Sequence, residues 1–151
     1  MPELPEVEVL VRHLRPLIRG KKIRTINVRR VKVLRPTPPG KFRKTLLGAK
    51  FIGLSRRGKY LLFQLRAKTG ARPVTLLGHL GMTGRIFLTR KNSELPKHAA
   101  VVLDLGREDL VYEDTRYFGR MTLDTSAVHR LGPEPLAGDF EGDESGRRVR
   151  F

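Results

Sequence analysis

The feature that most constrains the fold is an alternation of apolar and polar residues, which begins after Gly20 and runs through a series of short segments. In the segment 59–65, Leu61, Phe63 and Leu65 would lie on one face of a strand. Glycine and proline separate the segments, as turns between strands require. The pattern predicts a mainly β domain of about eight strands, an antiparallel sandwich or barrel, and of the two we expect the β-sandwich. The candidate strands are Lys22–Arg30, Lys50–Ser55, Lys59–Leu65, Val74–Leu80, Arg85–Thr89, His98–Leu105, Leu110–Asp114 and Met121–Asp124.

The N-terminal segment has the helical period instead, and residues 3–19 are predicted to form an α-helix. Pro5 suits its first turn, and Pro16 is expected to end or kink it before Gly20 closes the segment. The apolar stripe at helical spacing consists of Val7, Leu10, Val11, Leu14, Leu17 and Ile18. The basic, proline-rich segment Arg35–Lys44 is predicted to be a loop.

The sequence divides into a domain over residues 1–130, made of the helix and the sandwich, and a tail over residues 131–151. The string Leu131-Gly-Pro-Glu-Pro-Leu136 is unsuited to regular structure, and Gly138–Arg150 is polar and rich in glycine. The tail is therefore expected to be a linker toward a part that this sequence does not contain.

The distribution of charge indicates a polyanionic partner. Lysine and arginine number 31 against 15 acidic residues, a net charge of +16. From Val9 to Ser93 there are 23 basic residues and no acidic one. A solvated face normally mixes both signs, so this stretch is typical of nucleic-acid binding. The alternatives are a basic protein without a specific partner, or binding to RNA, to the ribosome or to a membrane surface.

Composition also excludes several classes of site. No apolar run is long enough to span a bilayer, and the N-terminus lacks the pattern of a secretory signal. The sequence has no cysteine, which excludes disulfides and thiolate zinc sites within it. Its 4 histidines lack ligand spacing, so we expect no metal and no cofactor in this chain. Because disulfides form in oxidising compartments, the lack of cysteine leads us to expect a cytoplasmic protein.

The first residues contain a candidate nucleophile. Removal of Met1 would leave Pro2 with a free secondary amine, which can attack an aldehyde-level carbon and form a Schiff base. An α-amine, with a pKa of about 7.7–8.0, is unprotonated near neutral pH several hundred times more often than lysine. Glu3 would then serve as the adjacent general acid/base. By themselves these two residues are more simply an ordinary helix start, because Met-Pro begins many proteins.

The longer string MPELPEVE changes that balance, because it resembles the start of the formamidopyrimidine-DNA glycosylase family. The resemblance continues, in order, through four further strings over about nine-tenths of the sequence. They are Arg56-Arg-Gly-Lys-Tyr-Leu-Leu62, His79-Leu-Gly-Met-Thr-Gly84, Asp114-Thr-Arg-Tyr-Phe-Gly119 and Leu131-Gly-Pro-Glu-Pro-Leu136. Leu4 favours this branch over the endonuclease VIII branch, which typically reads Pro-Glu-Gly-Pro.

The resemblance implies roles for individual residues. Pro2 would be the nucleophile, Glu3 the acid/base, and Lys59 a contact to the damaged nucleotide and its phosphate. Three residues would form the wedge that replaces a flipped nucleotide, namely Met82, Arg116 and Phe118. His79 and His98 would contact phosphates.

The sequence departs from the family at two places in one motif. The usual Asp-Pro-Arg-Arg-Phe-Gly reads Asp-Thr-Arg-Tyr-Phe-Gly here, with Thr115 for proline and Tyr117 for the second arginine. The first change is expected to loosen the loop, and the second removes one cation.

As a whole, the resemblance implies base-excision DNA repair by a bifunctional glycosylase and AP lyase. It would remove oxidised purines such as formamidopyrimidine and 8-oxoguanine from damaged double-stranded DNA, as a monomer in the bacterial cytoplasm associated with the nucleoid. The family's second half, with a helix-two-turn-helix segment and a four-cysteine zinc finger, is not in this sequence. We therefore expect this chain alone to be weak or inactive, since phosphate contacts dominate affinity. The alternatives are a non-catalytic DNA-binding β-sandwich and an RNA- or ribosome-binding β domain.

Overall fold

Two four-stranded antiparallel sheets form the body of the protein in a computed structural model, which describes residues 4–70, 72–91 and 93–131. The first sheet has the order β2-β3-β4-β8 and the second the order β1-β6-β7-β5. This arrangement confirms the predicted eight-stranded antiparallel sandwich. The strands are β1 (Thr25–Val28), β2 (Lys50–Arg57), β3 (Tyr60–Arg66), β4 (Pro73–His79), β5 (Gly84–Arg90), β6 (Ala99–Asp104), β7 (Glu108–Asp114) and β8 (Arg120–Thr122).

The alternating residues of both sheets face one continuous core. The large side chains at its centre are Phe51, Phe63 and Tyr112, which are fully buried. Phe51 and Phe63 meet edge to face, with ring centroids 5.9 Å apart. A smaller apolar cluster, formed by Ala99, Val102 and Val111, lies apart from this core.

Helix α1 (Leu4–Ile18) packs against β2 with the predicted apolar stripe. Val7, Val11, Leu14 and Ile18 are buried, whereas Leu17 is exposed. The Arg15 Nε donates to the Leu54 carbonyl at 2.7 Å, which joins the helix to the sheet. The helix was predicted over residues 3–19, and Glu3 lies outside the described residues.

The end of α1 agrees with the prediction for its prolines and glycine. Pro16 lies inside the helix, which ends two residues later at Ile18. Gly20 then takes a φ of +85°, a conformation that costs glycine little. Its N–H donates to the Phe51 carbonyl at 2.8 Å, so the chain passes directly from the helix to the sheet.

The predicted loop Arg35–Lys44 is wrong over half of its length. A 3₁₀ turn (Val31–Leu34) precedes it, and helix α2 (Pro39–Leu46) begins within it. Pro39 occupies the first helical turn, where its missing N–H costs nothing. Phe42 and Leu46, four residues apart, are fully buried and anchor the helix to the core.

The first and the last strand depart most from the prediction, and the bounds of the other six differ from it by at most two residues at either end. The strand expected over Lys22–Arg30 is regular only from Thr25 to Val28, because Lys22 forms an isolated bridge with Lys50 of the other sheet. The final strand is Arg120–Thr122 instead of Met121–Asp124, and it is followed by the single turn of α3 (Ser126–His129). Of the predicted tail, only residue 131 is among the described residues.

In the described part of the chain, no helix is both long enough and apolar enough to cross a membrane.

Candidate nucleic-acid interface

Two turns meet at one end of the sandwich. One is the β4–β5 turn, residues 80–83, and the other is the β7–β8 loop, residues 115–119. A Cβ placed on Gly81, whose φ is +61°, would lie 3.0 Å from the Gly119 backbone nitrogen. The close approach of the two backbones therefore requires glycine in the first turn.

The buried carboxylate of Asp114 holds both turns. Its Oδ1 accepts the Thr83 hydroxyl at 2.6 Å and the Arg116 N–H at 3.1 Å. Its Oδ2 accepts the Tyr112 hydroxyl at 2.8 Å and the Gly119 N–H at 2.9 Å. One side chain thus satisfies four donors and fixes the β4–β5 turn relative to the β7–β8 loop.

The charge of this carboxylate is maintained by its donors. Burial raises the pKa of Asp114, but the hydrogen bonds from Thr83, Gly119, Tyr112 and Arg116 outweigh burial and leave the pKa below its ordinary value. Burial and the neighbouring carboxylate raise the pKa of the Tyr112 hydroxyl, which stays protonated and donates to Asp114. Asp114 and its four hydrogen-bond donors, which we call the Asp114 hub, are therefore an anion surrounded by neutral donors.

The three predicted wedge residues lie on these two turns. Met82 is 57% exposed and Phe118 is 55% exposed, although both are large and apolar. Arg116, between Asp114 and Phe118, is also exposed. Exposed apolar side chains on rigid turns are features of a binding surface.

Lys59, Arg120 and His79 lie beside the first turn, at the ends of β2, β3, β4 and β8, and are called here the cationic group. His79 pairs with Tyr60 across the β3–β4 ladder, with ring centroids 5.0 Å apart. Burial, and then the positive charges of Lys59 and Arg120, lower the pKa of His79. The Gly81 N–H donates to its Nδ1 at 3.2 Å, so the neutral ring carries its proton on Nε2. Lys59 is exposed in the β2–β3 turn.

The start of α1 is tied to the same β2–β3 turn. Glu8 Oε1 pairs with Arg56 Nε at 2.9 Å, and Arg56 Nη1 donates to the Gly58 carbonyl at 2.9 Å. Burial raises the pKa of Glu8, but Arg56 and Arg12 outweigh it and lower the pKa overall. The predicted nucleophile Pro2 and acid/base Glu3 lie outside the described residues. In the sequence, Pro2 and Glu3 come two residues and one residue before Leu4, where helix α1 begins. The ion pair of Glu8 with Arg56 holds the first turns of this helix beside the turn that contains Lys59.

A further group was not predicted from the sequence. Tyr117 has a φ of 55°, and its hydroxyl lies 3.3 Å from His98 Nδ1. The Arg30 guanidinium carbon lies 5.2 Å from the centre of its ring, and Lys32 Nζ lies 5.6 Å from that of Phe118. The signal available in the sequence was the departure at Tyr117 from the family motif.

The residues present do not fit the zinc that the resemblance assigns to a second half. The chain has no cysteine. Residues 4–70, 72–91 and 93–131 contain no group of three or more histidine, aspartate or glutamate side chains placed to hold a metal ion.

Together the fold and the site define an antiparallel β-sandwich that is preceded by an α-helix and carries exposed apolar turns and cations at one end. Solved DNA glycosylase structures have this fold. The chain belongs to the formamidopyrimidine-DNA glycosylase family, because residues 1–121 match the family model described as the formamidopyrimidine-DNA glycosylase N-terminal domain. This confirms the resemblance drawn from the motifs.

Among curated relatives, the formamidopyrimidine-DNA glycosylase of Geotalea daltonii is 43% identical over 148 residues, covering 93% of this chain and 52% of that protein. That of Carboxydothermus hydrogenoformans is 38% identical over 140 residues, covering 93% of this chain and 50% of that protein. The chain therefore spans about half the length of the curated relatives it matches.

Solved structures agree with the sequence relatives. A complex of the Lactococcus lactis Fpg with abasic-site-containing DNA has a TM-score of 0.73 and 34% identity, covering 80% of this chain and 42% of that one. A complex of a Lactococcus lactis FPG mutant with Fapy-dG-containing DNA has a TM-score of 0.73 and 35% identity, with the same coverage.

Proposed function

We propose that this chain is the N-terminal catalytic half of a base-excision DNA glycosylase with AP lyase activity. Its substrates are oxidised purines, such as formamidopyrimidine and 8-oxoguanine, in damaged double-stranded DNA. The observation that carries the proposal is the Asp114 hub, which holds the turns of Met82 and Phe118 rigidly at the end of the molecule that also presents Lys59 and His79. The proposal includes a cytoplasmic, nucleoid-associated monomer and no cofactor in this chain.

The exposed turns suit the mechanical step of the reaction. A base in a duplex is reached only after its nucleotide is flipped out, which costs a few kcal/mol of stacking. Met82 fills the resulting gap, because a flexible thioether adapts to irregular space. Phe118 enters the opposite strand with its flat ring, and Arg116 donates to the orphaned base. A wedge works only if its support does not yield, and the four hydrogen bonds to Asp114 supply that support.

The cationic group suits the flipped nucleotide. Lys59 supplies a mobile point charge for the phosphate. His79 is neutral, and the Gly81 N–H occupies its Nδ1, so the ring's one donor is its Nε2–H, to which we assign a phosphate oxygen as acceptor. His98, beside Tyr117, contributes a second phosphate contact, the one of the two histidines that the resemblance favours.

The chemical step uses the amine of Pro2 after Met1 is removed. The neutral amine attacks the anomeric carbon as the bond to the base breaks with its electron pair on the base, and the proton of the amine passes to the departing base. Glu3 then protonates the sugar ring oxygen as the ring's bond between that oxygen and the anomeric carbon breaks. The ring-opened product is an iminium ion between the proline nitrogen and the anomeric carbon. Successive β- and δ-eliminations then break the two carbon–oxygen bonds to the flanking phosphates, and hydrolysis releases the amine.

Borohydride trapping tests the proposal directly. Reduction of the iminium by hydride joins the chain to the DNA permanently, so we expect a covalent adduct with duplex containing an oxidised purine or an abasic site. The mass of the adduct must correspond to a chain without Met1. A Lys59→Met variant, which lacks the proposed phosphate contact, should form the adduct more slowly but not lose it, because the trapped nitrogen belongs to the N-terminal amine.

Trapping needs only a single turnover. It is therefore the appropriate readout for a chain that spans about half the length of its relatives and is expected to turn over slowly. A processed chain that binds damaged duplex but forms no adduct would be a non-catalytic DNA-binding module, and the proposal would be wrong. Preference for RNA over damaged duplex would contradict it as well. Rapid strand cleavage would overturn the expected weakness of this chain alone.

A further inference from the structure

The segment that follows β1 lies against the β7–β8 loop. The N–H groups of Arg29 and Arg30 both donate to the Ala100 carbonyl, at 2.7 and 3.2 Å. This anchor on β6 directs the next side chains toward the aromatic residues of the loop. Arg30 stacks over Tyr117, and Lys32 lies over Phe118.

The Tyr117 ring is a fixed platform for this stacking. Its backbone φ of 55° is uncommon for a bulky residue and is held by the loop hydrogen bonds on either side of it. Its hydroxyl meets His98 Nδ1, so the ring is fixed at both ends. A cation over such a ring is oriented before any ligand arrives.

The two cations remain available to an anion. Arg30 uses one N–H, that of Nη1, to donate to the Arg29 carbonyl at 2.8 Å. Both Arg30 and Lys32 are exposed, and among the described carboxylates none pairs with either of them. A guanidinium has five N–H donors in a planar fork that matches phosphate oxygens.

We propose that Arg30 and Lys32, stacked on Tyr117 and Phe118, form a phosphate-binding site for the DNA strand that Phe118 enters. The inference rests on the proposed function, and it adds a contact carried by the segment after β1. It also gives the departure at Tyr117 a physical role. Where the family motif has a second arginine, this chain has the aromatic ring of Tyr117. The positive charge at this place is supplied instead by Arg30, which stacks on that ring.

Salt dependence of DNA binding measures the contact. The logarithm of the binding constant falls with the logarithm of salt concentration by about 0.9 for each neutralised phosphate of B-DNA. Fluorescence anisotropy with an abasic-site-analogue duplex should therefore give a slope reduced by about 0.9 for Arg30→Gln. Lys32→Gln should reduce the slope to a similar extent.

Arg107→Gln is the matched control. Arg107 is exposed in the β6–β7 turn, at the other end of β7 and about 20 Å from the loop. It should leave the slope unchanged. A double variant, Arg30→Gln with Tyr117→Arg, should restore the slope, because it returns a cation to the loop. Circular dichroism and thermal unfolding verify that each variant is folded.

The outcomes separate this inference from the proposed function. Unaltered slopes for Arg30→Gln and Lys32→Gln, in a chain that binds damaged duplex and is trapped by borohydride, overturn the phosphate site alone. Equal reductions for Arg30→Gln and Arg107→Gln overturn it too, because they indicate a diffuse positive field. If the unaltered chain binds no DNA, both proposals fail.

Discussion

Asp104 and Asp114 end neighbouring antiparallel strands, so they lie at opposite ends of the second sheet. Each accepts an N–H from two residues further along the chain, that of Gly106 at 2.8 Å and that of Arg116 at 3.1 Å. Asp104 is partly exposed and pairs with Lys91 at 2.6 Å. Asp114 is fully buried, and the four groups that donate to it, from Tyr112, Thr83, Arg116 and Gly119, are neutral.

The two loops also differ in backbone conformation. In the loop after Asp104, the positive φ of 105° falls on Gly106, for which it costs little. In the loop after Asp114, the positive φ falls on Tyr117, where it costs about 1 kcal/mol or more. The backbone is therefore unstrained in the loop after Asp104, to which no function is assigned, and strained in the loop after Asp114, which carries Phe118.

The same turn motif therefore has different energetics in different surroundings. An exposed ion pair contributes little and is screened by salt. A buried network contributes more when complete, and each missing partner leaves a donor unsatisfied. Rigidity is therefore concentrated where the proposed wedge must resist a stacked duplex.

The largest effect is expected from Gly119→Ala. A Cβ at this position would collide with the Tyr112 hydroxyl and the His79 carbonyl, and the latter belongs to the backbone. We expect a loss of about 3 kcal/mol or more in the free energy of unfolding, measured by urea denaturation. Gly106→Ala is the control, with an expected loss of about 1 kcal/mol, because its nearest neighbour is the flexible Arg24 side chain. Equal losses would contradict the comparison.

Asp114→Asn should cost about 2 kcal/mol, measured in the same way. One carboxylate oxygen becomes an NH₂ group, which faces either the Arg116 N–H or the Gly119 N–H. Hydroxyls can rotate away from such a conflict, but backbone N–H groups cannot. The matched change Asp104→Asn should cost less than about 1 kcal/mol. A larger loss at Asp104 would reverse the assignment of rigid and relaxed ends.

The sandwich was predictable because alternation and turn residues report directly on strands. Helix α2 was not, since only Phe42 and Leu46 mark its buried face within a basic, proline-containing segment. The late start of β1 at Thr25 follows from the pairing of Lys22 with Lys50, a contact that the local sequence pattern does not contain.

The site was predictable as a set of residues but not as an arrangement. Motifs identified Met82, Arg116 and Phe118, and the structure places them on two adjoining turns. The Asp114 hub joins residues up to 31 positions apart, through the antiparallel pairing of β5 and β7. The stacking of Arg30 on Tyr117 likewise needs the fold. The roles of Pro2 and Glu3 stay predictions.

Lys91→Met should give a smaller effect that depends on salt. Lys91 Nζ lies 2.6 Å from Asp104 Oδ2 and 3.1 Å from Asp109 Oδ1, in a half-exposed position. Their hydrogen bonds raise the pKa of Lys91, so it is charged at neutral pH. We expect a loss below about 1 kcal/mol at low salt that shrinks as salt is added. Urea, which is uncharged, is the suitable denaturant. The loss from Asp114→Asn should persist at high salt, and salt sensitivity of that loss would contradict the assignment of a buried Asp114 anion held by neutral donors.

The smallest expected effect is the pH dependence contributed by His79. Burial and the charges of Lys59 and Arg120 lower its pKa below 6.5 in the folded state. Between 6.5 and that lower pKa the unfolded chain binds a proton and the folded chain does not, so stability falls as pH falls through this window. His79→Asn retains an acceptor for the Gly81 N–H and removes the titration. The stability of the unaltered chain relative to this variant should therefore decrease on acidification. Lys59→Gln should narrow the window by raising the pKa of His79, which NMR titration of its ring protons measures. A relative stability that is flat or rises on acidification would show that His79 is not held neutral, and the donor role assigned to its Nε2 would be wrong.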